Sequence, residues 1–164
     1  MSVVLTIRQY GDPVLKQATK DVEEVDGRVA KLVDDMLEAM YAAPGVGLAA
    51  NQVGVQRRLF VYDVGDGPQA IINPRIVESS GEWTFEEGCL SVPGLSWEIV
   101  RPNQVHLVGL NLEGEEVSIE ADEYEGRVFQ HEVDHLDGTL LLERLDDDQR
   151  RDALKILRAR ALAG

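Results

Sequence analysis

Two histidines four residues apart, with a glutamate directly after the first, are the residues of this chain best suited to chemistry. His131, Glu132 and His135 stand in Gln-His-Glu-Val-Asp-His at 130–135. On a helix, residues i and i+4 project from the same face, so both imidazoles can meet one metal ion while the carboxylate serves as a base beside it. A polar helix without a metal is the other interpretation of so short a motif.

A third metal ligand is expected on the N-terminal side of these histidines. Proteases with this spacing take their third ligand from downstream, either a glutamate or a histidine. Leu141 stands six residues after His135 and no histidine follows, while downstream acids such as Glu143 and Asp152 lie in a solvated charge pattern and are the weaker alternative. Upstream, the single cysteine, Cys89, stands in Glu-Glu-Gly-Cys-Leu-Ser-Val-Pro-Gly at 86–94. A lone cysteine is often a small buried apolar residue. A thiolate with two imidazoles, however, leaves one tetrahedral position for water, as catalytic sites do.

An apolar stripe supports a helix around the histidines. Phe129, Val133 and Leu136 recur at helical spacing. At about 100° per residue, His131 and His135 fall on a different face from this stripe. We expect the helix to dock by its apolar side and to present the ligands from another side.

This helix is predicted to cover residues 123–137. Asp122 is placed as the N-cap with Glu125 three positions later, a variant of the capping box. Glu123 and Glu125 also suit the positive end of the helix dipole. Gly138, just after the last periodic residue, is expected to end the helix.

Three motifs, in order along the chain, resemble those of the peptide deformylases. They are Gly-Val-Gly-Leu-Ala-Ala-Asn-Gln at 45–52, Glu-Gly-Cys-Leu-Ser at 87–91 and Gln-His-Glu-Val-Asp-His-Leu at 130–136. The resemblance covers essentially the whole chain, including Tyr-Gly-Asp-Pro-Val-Leu at 10–15. Family members commonly have a small apolar run ahead of the third motif. The sequence Glu-Tyr-Glu-Gly-Arg at 123–127 departs from that pattern, which bears on the packing of the turn and on the pocket rim.

The resemblance implies both a reaction and the residues that carry it out. The reaction is removal of the formyl group from formyl-methionyl nascent polypeptides of bacteria, which gives formate and a free N-terminus. Cys89, His131 and His135 are implied as the metal ligands and Glu132 as the general acid and base. Glu132 would take a proton from the attacking water and pass it to the leaving amine.

Two hydrogen-bond donors are implied beside the reacting carbonyl. The tetrahedral intermediate carries negative charge on the former formyl oxygen, which needs fixed donors as well as the metal. The resemblance implies the side-chain amide of Gln52 and the backbone N–H of Leu90 as these donors.

An apolar pocket is expected for the methionine of the substrate. The predicted substrate-binding residues are Gly47, Val46, Leu48 and Val128, and further pocket candidates, some of which must belong to the core, are Leu95, Trp97 and Phe129. Gly47 would let the main chain run close beside the substrate. An ordinary loop glycine is the simpler interpretation of that residue taken alone.

A thiolate with two imidazoles suits either Fe²⁺ or Zn²⁺. The thiolate donates more charge than a third imidazole would, which makes zinc a weaker Lewis acid. The resemblance also implies Fe²⁺ in the cell, since family members often use it and lose activity when it oxidises. We therefore predict one divalent metal ion, with Fe²⁺ in the working enzyme and Zn²⁺ as the alternative.

Composition agrees with what the resemblance implies, a compact catalytic domain in the cytoplasm. At 164 residues and 44% hydrophobic, the chain is expected to form a single domain over residues 1–164. One cysteine excludes an internal disulfide, no charged-then-apolar leader is visible, and no apolar run approaches a membrane span. A net charge of −14 disfavours broad binding to nucleic acid, so neither a membrane nor specific DNA is an expected partner.

The spacing of apolar residues along the rest of the chain predicts an α+β fold, with antiparallel strands packed around the ligand-bearing helix and an additional C-terminal helix. A further helix is predicted over residues 27–42, where apolar residues follow helical spacing up to a Pro-Gly pair. Strands are predicted at 59–64, 70–72, 104–112 and 115–121, the last two as a hairpin. His106, in that hairpin, is interpreted as structural or solvated rather than as a metal ligand.

The C-terminal helix is predicted over residues 147–163, with Leu154, Leu157 and Leu162 among its apolar positions. Its charge is opposite to that of the rest of the chain, with the cations Arg150, Arg151, Lys155, Arg158 and Arg160 against Asp152 alone between residues 150 and 160. These cations either complement the C-terminal end of the helix or make a transient contact with ribosomal RNA phosphate near the exit tunnel.

Two functions of other classes are alternatives at this level. A metalloprotease with the same histidine motif would cut internal peptide bonds. A metal-binding regulator that kept the scaffold would have lost a catalytic group, yet Gln52, Cys89, Glu132 and both ligand histidines are present. Release of formate from a formyl-methionyl peptide separates these functions from deformylation.

Overall fold

The computed structural model describes residues 4–163 and combines antiparallel strands with three α-helices in that range. The helices are α1 Gly27–Ala42, α2 Glu123–Leu136 and α3 Asp147–Ala163. The strands are β1 Gly47–Ala49, β2 Leu59–Tyr62, β3 Gln69–Ser80, β4 Trp83–Gly88, β5 Ser96–Arg101, β6 Gln104–Leu110 and β7 Glu116–Asp122. Short 3-10 helices cover Pro13–Lys16, Ala50–Val53 and Leu141–Arg144. The predicted α+β class is confirmed. A helix with the length and apolarity needed to span a bilayer does not occur in this range.

Two antiparallel sheets position the site. Five strands form one sheet in the order β1-β2-β3-β6-β7, and β4 pairs with β5 in a separate sheet. The loop between β4 and β5 carries Cys89, so the small sheet delivers this residue. β6 and β7 form the predicted hairpin, where His106 Nε2 lies 2.5 Å from Ser118 Oγ.

α2 packs on the five-stranded sheet through the predicted apolar stripe. Phe129, Val133 and Leu136 are all buried. The ring of Phe129 lies 6.0 Å from that of Phe60 and, edge-on, 5.1 Å from that of Tyr62. These contacts fix the helix against β2, which leaves another of its faces for the ligands.

The ends of α2 lie close to the predicted bounds, but a different residue caps the start. Asp122 makes no side-chain capping bond. The backbone N–H of Glu123 donates instead to the main-chain oxygen of Asn103 at 3.2 Å and to its Oδ1 at 3.3 Å. Asp122 ends β7 and pairs with Gln104, which brings the neighbouring Asn103 to the helix start. The predicted capping box is therefore wrong, whereas Gly138, with φ of 76°, ends the helix as predicted.

α1 forms over the predicted residues and supports the strands that border the site. Asp26 caps its start, where its side chain accepts from the backbone N–H groups of Arg28 at 3.0 Å and Val29 at 3.2 Å. The apolar face of α1 packs against β1 and β2, in a cluster that includes Val29, Val33, Met36, Met40, Leu48, Leu59 and Val61.

α3 completes an apolar cluster close to the loop between β4 and β5 that carries Cys89, called the cysteine loop below. Ala153 and Leu157 of this helix are buried together with Val92 and Leu142. Leu162, one of the predicted apolar positions, is exposed instead. The apolar contacts of the helix therefore end before its last turn, where Arg160 donates instead to the main-chain oxygen of Pro93 at 2.8 Å.

Candidate metal centre

Three side-chain atoms of the kind that bind metal ions meet between α2 and the cysteine loop. Cys89 Sγ and His131 Nε2 each lie 3.2 Å from His135 Nε2, and the three ligand atoms lie within 4.8 Å of one another. α2 supplies both imidazoles, and the loop after β4 supplies the thiol. Within residues 4–163, no other such group of three is found. The structure therefore brings together the three predicted ligands.

A buried carboxylate orients the ring of His131. The Nδ1 atom of His131 lies 2.8 Å from Oε1 of Glu87, and both residues are buried. An ionised carboxylate can only accept a hydrogen bond, so Nδ1 carries the proton. The Nε2 lone pair is then free to bind a metal ion.

Glu87 is held in its ionised form by its neighbours. Burial by itself favours the neutral acid, but His131 and Arg101 outweigh this effect and lower the pKa of the Glu87 carboxyl to about 2. Arg101 donates to both carboxylate oxygens at 2.9 Å, and Arg127 donates at 3.0 Å. The carboxylate is therefore a permanent acceptor for His131 near neutral pH.

Arg127 shows how the unusual sequence before the third motif is accommodated. The residue is only 2% exposed. Besides Glu87, it donates to the carbonyl oxygens of Trp83 and Ile99, and its guanidinium carbon lies 5.5 Å from the centre of the Trp83 ring. Arg127 thus ties α2 to both strands of the small sheet, and so ties the histidine helix to the cysteine loop.

The Cys89 sulfur lies in surroundings that favour the thiolate. Burial opposes ionisation, but the imidazoles of His135 and His131 hold the pKa of the thiol well below its usual value. The backbone N–H of Ser91 donates to Sγ at 3.4 Å, and Gln52 Nε2 lies 3.7 Å from it. A thiolate with two imidazoles is a donor set that suits Zn²⁺ or Fe²⁺, so these residues fit a divalent metal ion.

Gln52 is fixed with its amide nitrogen towards the metal site. Its Oε1 accepts from the backbone N–H of Ala49 at 3.0 Å, and its Nε2 donates to Ser91 Oγ at 3.1 Å. The residue is buried in the 3-10 helix that directly follows β1. Its side chain therefore presents a donor whose position is already set.

Glu132 is a buried carboxyl group next to the three candidate metal ligands. Its Oε1 has no hydrogen-bond partner among the described residues. Burial raises the pKa of this carboxyl above its ordinary value, although the two ligand histidines act in the opposite sense. A carboxyl with raised proton affinity can both take a proton and return it.

A cavity of about 700 Å³ opens beside these residues. The predicted site residues in its wall are Val46, Gly47, Gln52, Cys89, Leu90, Val128, His131 and Glu132, and Leu95 lines it as well. The volume lies within the range of pockets that hold small organic ligands. The cavity therefore has room for the first residues of a peptide.

Leu48, predicted to contact substrate, does not line this cavity. It is fully buried in the cluster beneath α1. Successive residues of a strand point to opposite sides of the sheet. Gly47 faces the cavity, and the next residue, Leu48, therefore faces the core. Phe129 and Trp97 likewise pack in apolar clusters outside the cavity wall. Leu48 is accordingly corrected to a core residue.

Glu87, Arg101 and Arg127 belong to the site although sequence reasoning missed them. Glu87 stands two residues before Cys89, within the second motif, and this position was the available signal. The two arginines have no comparable signal, because they lie 14 and 40 residues from Glu87 along the chain.

Comparisons with known proteins agree on one family. The sequence profile of the polypeptide deformylases matches residues 4–151. A peptide deformylase of Clostridium botulinum (strain Alaska E43 / Type E3) is 52% identical over 138 residues, which covers 84% of this chain and 94% of the relative. The crystal structure of peptide deformylase from Thermotoga maritima has a TM-score of 0.86 at 46% identity and covers 88% of this chain and 99% of that one. The peptide deformylase of Ehrlichia chaffeensis in complex with actinonin has a TM-score of 0.91 at 42% identity and covers 98% of both chains.

Proposed function

The chain belongs to the polypeptide deformylase family, and from that premise we propose how its own side chains perform the reaction. The enzyme removes the N-formyl group from formyl-methionyl nascent polypeptides and releases formate. We propose that Cys89, His131 and His135 hold one divalent ion, that Glu132 moves the proton, and that the chain acts as a single catalytic domain. The supporting observation is that three ligand atoms meet within 4.8 Å beside a buried carboxyl group at a peptide-sized cavity.

Proton transfer is the proposed role of Glu132. The ion, when bound, would lower the pKa of a water molecule and polarise the formyl carbonyl. Glu132 takes a proton as the water oxygen adds to the formyl carbon. The carbon–nitrogen bond then breaks, and Glu132 returns the proton to the departing amine nitrogen. The raised pKa of the buried carboxyl supports this exchange.

Gln52 and Leu90 are the proposed donors to the oxygen that gains negative charge. The amide of Gln52 is already held by Ala49, so it needs no rearrangement during the reaction. Leu90 lines the cavity and lies against Gly45, where an added Cβ would stand 2.6 Å from Leu90 Cδ1. The side chain of Leu90 therefore fills the space that Gly45 leaves open, and its backbone N–H directly follows Cys89, which supports this group as the second donor.

The substrate methionine is proposed to contact Val46, Gly47 and Val128. All three line the cavity. Val46 is exposed at the cavity wall, whereas Val128 is buried on α2, one helical turn before the ligand His131. An apolar side chain that enters from the solvent can therefore lie against Val128 while the formyl group approaches the ligands.

Fe²⁺ is the proposed working ion. Charge donated by the Cys89 thiolate weakens Zn²⁺ as a Lewis acid, while both ions accept this donor set. Metal-free protein should be reconstituted without oxygen with each ion, and formate release measured. We expect a higher kcat with Fe²⁺, and equal or greater turnover with Zn²⁺ would overturn the assignment.

Formate release tests the function itself. The metal-loaded protein should release formate from a formyl-methionyl peptide and leave casein uncut, which a metalloprotease would not do. Glu132→Ala should keep its ion and lose turnover by about 100-fold or more. Glu98→Ala, which removes an exposed carboxylate of β5, is the control. Casein cleavage without formate would refute the function, and full turnover in Glu132→Ala would remove that residue from the mechanism.

A cytoplasmic location and a transient ribosome contact through α3 complete the proposal. Nascent formylated chains emerge at the ribosome, and RNA phosphate attracts cations. Arg150 and Arg160 donate to main-chain carbonyl oxygens of this chain, so they are partly used in holding α3 in place. Lys155 and Arg158 are exposed and form the proposed contact.

A further inference from the structure

A line of charged side chains connects the segment before α3 with the metal site. At its outer end, Arg144 donates to Asp134 through Nε at 2.8 Å and through a terminal nitrogen at 2.7 Å. Arg101 donates to the same carboxylate at 2.8 Å. Asp134 is therefore shared by two guanidinium groups, of which Arg101 is buried and Arg144 is 46% exposed.

Arg101 continues this line to the metal ligand. Its guanidinium forms two bonds of 2.9 Å with Glu87, whose Oε1 lies 2.8 Å from His131 Nδ1. Each side chain from Arg144 to His131 is thus hydrogen-bonded to the next. A shift of Arg101 would move Glu87 or break one of its bonds, so the orientation of His131 depends on what holds Arg101.

Asp134 also balances the charge around the site. Arg101 and Arg127 both pair with Glu87, so that one buried carboxylate faces two buried cations. Asp134 supplies the second negative charge. Without it, an excess positive charge would remain in surroundings of low dielectric constant beside His131, where it would repel a divalent cation.

We propose that Asp134 and Arg144 are positioning residues for the metal ligand His131, acting through Arg101 and Glu87. Asp134 holds the guanidinium of Arg101 through the nitrogen that does not bind Glu87, and it neutralises the charge of Arg101. Arg144 in turn holds the carboxylate of Asp134 in place. The proposal rests on the metal centre proposed above. The hydrogen-bonded residues that support that centre then reach as far as the 3-10 helix Leu141–Arg144, which precedes α3.

The variant Asp134→Asn tests this proposal, and Asp137→Asn, near the same end of α2, is the control. Asp137→Asn also removes a carboxylate that pairs with a buried arginine, Arg58 at 2.6 Å, but this pair is separate from the bonds around Glu87. Dissociation constants for Zn²⁺ and Co²⁺ are measured by competition with a chelator, together with thermal unfolding of the metal-free proteins. We expect Asp134→Asn to bind both ions about 10-fold more weakly than Asp137→Asn, because loss of the hydrogen-bonded groups behind a metal ligand lowers metal affinity by about this factor.

Arg144→Met is the second variant, because a half-exposed arginine can be removed without opening the core. Its metal affinity should fall about threefold, less than for Asp134→Asn because exposed ion pairs are weaker. Arg144→Lys should recover part of this loss. Arg151→Met, which removes an exposed arginine 3.5 Å from Asp148, is the control.

The visible spectrum of the Co²⁺-loaded protein gives a readout that a purely structural role would not change. The spectrum reports ligand geometry, so it should shift in Asp134→Asn and not in Asp137→Asn. A lower unfolding temperature with unchanged metal affinity and spectrum in both Asp134→Asn and Arg144→Met would overturn the proposal. If the unaltered protein bound neither Zn²⁺ nor Co²⁺, the metal centre itself would be refuted, which is a different result.

Discussion

Gly47 lies directly against the carboxyl group of Glu132. A Cβ added at Gly47 would stand 2.5 Å from Oε2 and 3.0 Å from Cδ of that side chain. Both residues are buried in the wall of the cavity, so an added Cβ would push the carboxyl group from the position it now holds. The glycine was expected to bring the main chain close to the substrate, and the structure adds that it makes room for the proposed proton carrier.

Gly47→Ala should displace Glu132 and lower kcat more than it changes metal binding. A misplacement of about 1 Å at a reacting group can cost about 100-fold in rate. The measurement is kcat and KM for formate release, with metal content determined in parallel. Gly27→Ala is the control, because an added Cβ there meets no atom within 4 Å. Full kcat in Gly47→Ala would show that the carboxyl can relax without loss.

Replacement of Gln52 should remove one donor to the reacting oxygen. Gln52→Leu should lower kcat about 100-fold to 1000-fold, the usual effect of losing one such donor. Gln52→Glu keeps an acceptor for the backbone N–H of Ala49 but, when ionised, offers no donor, so we expect a similar loss with less effect on stability.

Ser91→Ala is the matched control for the Gln52 variants. It removes the hydroxyl that accepts from Gln52 Nε2 and leaves the amide itself in place. Its kcat should therefore change much less. Initial rates of formate release and urea unfolding are measured for all three variants. An unaltered kcat in Gln52→Glu would reject the role of Gln52 as a donor.

Capping of α2 by Asn103 predicts where that helix can be weakened. Asn103→Ala should lower the free energy of unfolding by about 1 kcal/mol, as loss of an N-cap side chain does. Asp122→Ala should have a much smaller effect, because Asp122 makes no capping bond. Urea unfolding measures both, and a larger loss in Asp122→Ala would reinstate the capping box expected from the sequence.

The two proposed metal ligands on α2 were predictable because their geometry is local. The helix repeat alone places His131 and His135 on one face, and the apolar stripe of α2 indicates that the helix forms. Cys89 was proposed as the single cysteine of the chain and was supported by the family motifs, because no local rule tells where a loop lies relative to a helix. The role of Glu87 depends on β4 and β5, which carry Glu87 and its partner Arg101 in one small sheet, and neither strand was predicted.

The length of β3 likewise could not be predicted from local sequence. The strand predicted at 70–72 extends over Gln69–Ser80 and passes through Asn73 and Pro74, a pair that is typical of turns. The register shifts at this point, and Asn73 has φ of 53°. Its side chain exchanges hydrogen bonds of 2.7 and 2.9 Å with the backbone of Val22, which stabilises this conformation. That partner lies 51 residues away, outside any local sequence window.

Reversal of the exposed cations of α3 should weaken ribosome binding if the helix docks there. Lys155→Glu combined with Arg158→Glu replaces two positive charges by two negative ones and leaves the buried Ala153 and Leu157 unchanged. α3 should therefore stay packed, which deletion of the helix would not allow. Co-sedimentation with ribosomes is measured at low and raised salt, because contacts with RNA phosphate weaken as salt rises.

The control for this pair carries the same change of charge on another surface. Lys16→Glu combined with Arg28→Glu alters two exposed cations outside α3. Loss of sedimentation in the α3 pair alone supports docking through that helix, whereas equal sedimentation of both pairs and the unaltered enzyme rejects it. Formate release from a free peptide should be the same in all three proteins, because none of the four residues lines the cavity. The expected defect is therefore confined to ribosome-bound substrate, where the local concentration supplied by docking is lost.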